Sequence, residues 1–137
     1  MPDRSSADRV PALELAVGVL GPLEARIMQM VWQQRVVAPF HVRDVLALTP
    51  DLAYTTVMTT LNRLAEKGLL GRKSVPPQRA HQYRPVGTPE DYLRETSKAH
   101  VDELIARYGD TAMAAFAARL DQLTPSQLRR LRALGAR

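Results

Sequence analysis

Cysteine is absent from all 137 residues, which excludes a disulfide framework, a thiolate metal site and a cysteine nucleophile together. No apolar run approaches the roughly 18 consecutive residues of a membrane span. Residues 1–11 (MPDRSSADRVP) lack the signal-peptide order of charges, apolar run and small-residue site, so a cytoplasmic location is the default expectation. Catalytic constellations are missing as well. His41, His81 and His100 stand apart, and no H-x-x-x-H pair, paired-carboxylate spacing or glycine-rich phosphate loop accompanies them. An enzyme is therefore not expected, and neither is a cofactor or a metal site. There is no internal repeat and no low-complexity block.

Acidic residues are scarce where basic ones are dense. Residues 53–86 contain Arg63, Lys67, Arg72, Lys73, Arg79 and Arg84 against Glu66 alone, so six minus one gives +5, equal to the formal charge of the whole chain. From Thr88 onward eight basic residues face seven acidic ones. The positive field therefore belongs to the middle of the chain and points toward a polyanionic partner. A composition 45% hydrophobic and 24% charged is ordinary for a globular protein with a buried core. The length suits one compact domain, or a small domain followed by an extra helical piece.

Apolar periodicity and punctuation give the elements. Residues 1–19 read as a partly disordered arm, with an apolar stretch over 12–20 whose conformation is left open. Gly21-Pro22 opens a helix to about residue 34, proline at its first position giving up an N–H that would have had no partner. Leu23, Ile27, Met30 and Val31 form its core face, closed by Trp32. After a connection over 36–40 with room for a brief strand, a second helix spans about 42–48 and stops at Thr49-Pro50-Asp51. A third runs over about 53–67 and ends at Gly68. Its spacing sets Val57, Leu61 and Leu64 on one side and Thr55, Met58, Thr59 and Asn62 on the other. Two strands, 69–75 and 80–86, are joined by Pro76-Pro77-Gln78-Arg79, where prolines suit a hairpin turn. Thr88-Pro89-Glu90-Asp91 starts a helix to Tyr108, a shorter one follows to Leu120, and Thr124-Pro125 opens the last.

Three helices followed by a basic hairpin form the winged helix-turn-helix layout, with the third helix sized for the DNA major groove. The fold expected is mainly α with a small β-hairpin wing: an arm (1–19), a winged-helix DNA-binding domain (20–87) and a helical dimerisation region (88–137). Threonine hydroxyls and methyls suit base edges, so Thr55, Met58, Thr59 and Asn62 are assigned to base readout. Tyr54, Thr56, Arg63, Arg72, Lys73, Arg79 and His81 are assigned to the phosphate backbone, which confers affinity rather than sequence choice. A winged helix serving as a protein-interaction adaptor is a rival reading, yet only Met58 and Tyr54 offer apolar anchors on that face. An activator or architectural protein would share the same residues, since fold does not set regulatory sign.

The run LGPLEARIMQMVW at 20–32, the run LAYTTVMTTLNRLAEKGLL at 52–70 and HQYRPV at 81–86 resemble the penicillinase-repressor (BlaI/MecI) family of bacterial regulators. The resemblance covers about residues 20–134. It implies a transcriptional repressor acting as a homodimer on an inverted-repeat operator, and a membrane sensor protease as a further partner. It also implies a dimer built from the helices after the wing, and the chain's own pattern agrees. Leu93, Val101, Leu104, Ile105, Tyr108, Met113, Phe116, Leu120, Leu123, Leu128, Leu131 and Leu134 are too few and too spread for a free-standing core. A second copy would supply the cover; folding back onto the winged helix as a monomer is the alternative. Relatives that answer to β-lactams are commonly cut at an Asn-Phe bond in this region. The corresponding pair here is Ala115-Phe116, a departure that speaks against cleavage there and against β-lactam as the signal. Copper-responsive relatives carry C-terminal cysteine pairs, which this chain lacks, so copper release by thiolates is excluded.

Overall fold

The computed structural model describes residues 11–76 and 80–135. Among them are seven α-helices and one β-hairpin. In chain order these are α1 (Ala12–Gly18), α2 (Pro22–Trp32), α3 (Val42–Leu48), α4 (Tyr54–Glu66), β1 (Leu70–Val75), β2 (Ala80–Pro85), α5 (Pro89–Tyr108), α6 (Asp110–Asp121) and α7 (Pro125–Gly135). The apolar stretch left open in the sequence is thus a helix, α1, which buries Ala16 and packs on α2. The arm expected over 1–19 is therefore helical at its end, while residues 1–10 lie outside the described residues.

The core gathers where α2, α3, α4 and the hairpin converge. Ile27, Met28, Met30 and Val31 come from α2, Val42 and Val45 from α3, and Val57, Leu61 and Leu64 from α4. Each large aliphatic among them contributes about 1.5–3 kcal/mol by leaving water. Leu23, expected on this face, is 38% exposed. The first turn of α2 instead buries Glu24, whose carboxylate accepts from Lys67 Nζ at 2.8 and 3.0 Å. Leu23, the next residue round the helix, consequently faces outward, and Met28 fills the core in its place.

Two threonines that look polar in sequence are buried without leaving a hydroxyl unpaired. Thr49 Oγ1 donates to Val45 O at 3.0 Å and Thr60 Oγ1 to Thr56 O at 2.8 Å. Gly68 follows α4 with φ +82°, a left-handed conformation that glycine adopts without steric cost. The chain there reverses into β1 and delivers Leu69 and Leu70 to the core.

The hairpin is antiparallel, with register running from Leu70↔Pro85 to Val75↔Ala80. The brief strand expected over 36–40 reduces to one residue: Phe40 bridges Tyr83, with N–H to O distances of 3.0 and 2.8 Å in the two directions. Both rings are fully buried and stacked, centroids 6.1 Å apart. This rivet fixes the base of the wing on the helical core. Trp32 Nε1 donates to Gly87 O at 3.0 Å and its ring meets Tyr92. The chain then enters α5 through a reciprocal cap, Thr88 N to Asp91 Oδ2 at 2.9 Å and Asp91 N to Thr88 Oγ1 at 3.1 Å.

By its contacts the chain divides into two compact units, Met1–Glu95 and Thr96–Arg137. The division falls inside α5, beyond the boundary expected at 87/88, because Tyr92 in its first turns still packs on the core. In the second unit, Gly109 with φ +59° separates α5 from α6. A second reciprocal cap, between Thr124 and Gln127, starts α7. Ala112 is the one buried side chain among the described residues of this unit. No helix among the described residues is long and apolar enough to cross a membrane.

Candidate nucleic-acid interface

The sidedness of α4 decides the site. With Val57, Thr60, Leu61 and Leu64 turned inward, the opposite face carries Tyr54, Thr55 and Thr59 exposed and Met58 half-buried. Its start is open. The N-cap is Ala53, no side chain caps the helix, and its first turn holds no acid. The first intrahelical bond runs from Val57 N to Ala53 O, so the amides before it remain available to water or to a phosphate drawn by the helix dipole.

Arg63 is exposed in the last turn of α4. Arg72 and Lys73 are exposed on β1, and His81 is half-buried on β2, its Nδ1 3.5 Å from Ser74 Oγ. Thr56 is half-buried, its carbonyl accepting from Thr60. Arg79 lies outside the described residues. Of the residues assigned from sequence to bases and phosphates, the described ones lie on α4 and the hairpin; Arg72 and Lys73, adjacent on β1, turn to opposite sides of the hairpin.

Asn62 behaves differently from the other polar residues of that face. It is half-buried, and its Oδ1 accepts from Tyr83 Oη at 2.7 Å and from Arg72 Nη1 at 3.1 Å. Burial holds the Tyr83 phenol above its ordinary pKa, with the nearby Arg72 charge opposing that shift. Tyr83 itself was not among the residues singled out in the sequence; a tyrosine in a strand reads as core, which it also is.

Between α3, α4 and β2 lies an open groove of about 520 Å³, lined by His41, Arg43, Tyr54, Met58, His81 and Tyr83 among others. His41 Nδ1 lies 3.1 Å from His81 O, and His41 N donates to Asp44 at 2.8 Å, closing the start of α3. His41 and Arg43 carried no periodic or motif signal; the fold alone brings them beside Tyr54 and Met58. Behind this face, Arg26 makes paired bonds of 2.7 and 2.8 Å to Asp51, in the turn before α4. The Arg26 guanidinium, through those hydrogen bonds, holds the Asp51 carboxyl down at about 2. No cluster of metal-ligating residues occurs among the described residues.

The residues expected at a dimer interface fall into two groups. Leu93 belongs to the first unit and is half-buried there. Val101, Leu104, Ile105, Tyr108, Met113, Phe116, Leu120, Leu128 and Leu131 all belong to the second unit and are all exposed. Ala115 and Phe116 are both exposed in the middle of α6.

A three-helix core carrying a β-hairpin, with an outward polar face on the third of those helices and cationic side chains on the hairpin, defines a winged-helix protein. The penicillinase repressor family model matches residues 20–136, and the chain belongs to that family. Two relatives from Mycobacterium tuberculosis, of strains CDC 1551 / Oshkosh and ATCC 25618 / H37Rv, are each named transcriptional regulator BlaI. Each is 46% identical over 70 residues, 49% of this chain and 48% of the relative. The chain spans about half the length of the curated relatives it matches.

Proposed function

We propose that the chain is a sequence-specific, double-stranded DNA-binding transcriptional repressor that acts as a homodimer on an inverted-repeat operator. One observation supports this reading above the others: the exposed face of α4, free of acid until Glu66 and with an uncapped start, adjoins the basic hairpin. Thr55, Met58 and Thr59 meet base edges in the major groove. Tyr54, Thr56 and the open amides of the first turn meet one phosphate run. Arg63, Arg72, Lys73, Arg79 and His81 meet the flanking strand and supply salt-dependent affinity.

The second unit supports the two-fold part of this reading. Its apolar side chains lie in solvent with almost nothing buried beneath them, and a second copy of the same helices covers them most simply. Two reading helices related by a two-fold axis select an inverted repeat. The match to relatives named as transcriptional regulators supports the same conclusion.

The test is a gel-shift titration with a duplex selected by the protein from a random pool. Thr59→Ala weakens binding to the selected duplex more than to random DNA, by about 1–3 kcal/mol of discrimination for a lost base contact. Equal losses on both duplexes remove Thr59 from base readout, and a wild-type protein that shifts no duplex at low salt overturns the reading.

A further inference from the structure

We propose that Asn62 is a positioning residue that locks the wing to the reading helix, and not a reader of base edges. Its two donors come from one rung of the hairpin. Arg72 on β1 and Tyr83 on β2 are register partners, and both reach the same Asn62 Oδ1, at 3.1 and 2.7 Å. An amide oxygen has two lone pairs, and both are engaged here; two converging donors also dictate that the oxygen, not the amide nitrogen, faces the wing.

The far end of this linkage is rigid. Tyr83 is fully buried, stacked on Phe40 and bonded to it through both backbone directions. Asn62 therefore connects a fixed post in the core, a cation on the wing and the middle of α4. The bidentate pairing of asparagine with adenine uses Oδ1 together with Nδ2. Such a contact would take the oxygen from Tyr83 and Arg72 and leave the phenol of a buried tyrosine without its acceptor. Held by the lock, the wing cations keep a set distance from Thr55 and Thr59, so that phosphate contact and base contact occur in one register.

The part of this inference that concerns operators rests on the DNA-binding reading above; the part that concerns the wing does not. The experiment has two arms, each using the full chain and the variants Asn62→Ala, Tyr83→Phe, their double mutant and Asn62→Asp. Tyr83→Phe keeps the buried ring and deletes only the hydroxyl, which guards against simple loss of the fold. In the first arm, without DNA, amide hydrogen exchange is followed along β1 and β2. Asn62→Ala and Tyr83→Phe each speed exchange there by roughly threefold to tenfold, the range of one lost hydrogen bond. The double mutant is no faster than Asn62→Ala, and Asn62→Asp, which retains acceptors, stays protected. In the second arm, binding is measured to the selected duplex and to a panel of its single base-pair variants. Asn62→Ala and Tyr83→Phe weaken binding across the whole panel by similar factors. Unchanged exchange in both single mutants overturns the lock. So does an Asn62→Ala protein that loses preference at one base pair while Tyr83→Phe binds like the wild type. If the wild type binds no duplex, the DNA-binding reading fails and the exchange arm alone decides the lock.

Discussion

Lys67 holds both carboxylate oxygens of Glu24, at 2.8 and 3.0 Å, and so ties the end of α4 to the first turn of α2. The pair is asymmetric: the Glu24 side chain is 11% exposed and that of Lys67 52%. Removing the lysine therefore strands a largely buried carboxylate, whereas the ammonium released by removing the glutamate returns to water. Lys67→Met is expected to cost about 1–3 kcal/mol in urea denaturation, and Glu24→Gln less. Equal losses would show that the burial asymmetry has no energetic weight.

The Arg26–Asp51 pair gives an acid dependence with a defined sign. Asp51 has a folded pKa depressed from 3.8 to about 2, so its contribution to stability is present above 3.8 and is lost as pH falls toward 2. Asp91, lowered by its hydrogen bonds from Thr88, acts in the same direction. Thermal melts of Asp51→Asn against the wild type are expected to converge at the acid end of that window and to separate above it. Since both partners are exposed, salt narrows the separation.

Lys73 is exposed on β1, and the proposed complex assigns it to the phosphate backbone. Lys73→Ala is expected to weaken binding to all duplexes alike and to lower the slope of log affinity against log salt by about one. An unchanged slope would remove Lys73 from the interface.

Trp32 donates to the Gly87 carbonyl at 3.0 Å. Trp32→Phe keeps a ring against Tyr92 and deletes the donor, for an expected loss of about 1 kcal/mol in chemical denaturation. Phenylalanine is also smaller, so lost packing adds to that figure, and an unchanged denaturation midpoint would show that the bond carries no net stability.

For the second unit, Leu104→Glu and Phe116→Glu place a charge on side chains that are already exposed in one chain, 42% and 38%. Neither is expected to alter the melting of the winged helix, and both are expected to convert the proposed dimer into a monomer by light scattering at micromolar concentration. A wild-type monomer under the same conditions would remove the two-fold operator model.

Local chemistry was legible in the sequence. Pro22, Pro89 and Pro125 each stand at the first position of a helix, and Thr88 and Thr124 make the caps ahead of the latter two. Gly68 ends α4 as its left-handed freedom suggested. Tertiary pairings were not legible. Glu24 and Lys67 are 43 residues apart and Asn62 and Tyr83 are 21 apart, and no helical or strand period links such positions. Spacing set Asn62 on the polar side of α4 with Thr55 and Thr59, but spacing cannot tell a solvent-facing amide from one turned toward a neighbouring strand. Leu23 fails for the same reason: periodicity assigns a stripe, and the burial of Glu24 moves its edge.

Among its described residues the unit from Thr96 onward buries one alanine, and that has a consequence for how it acquires its final form. Helices with so little beneath them gain little from packing on themselves, and the entropy of ordering three of them opposes a fixed arrangement. In the dimer proposed above, acquiring tertiary shape and hiding the leucines from water become one event. The order of that segment would then track how much protein is present as well as how warm it is, and dilution would loosen it before heat reaches the winged helix.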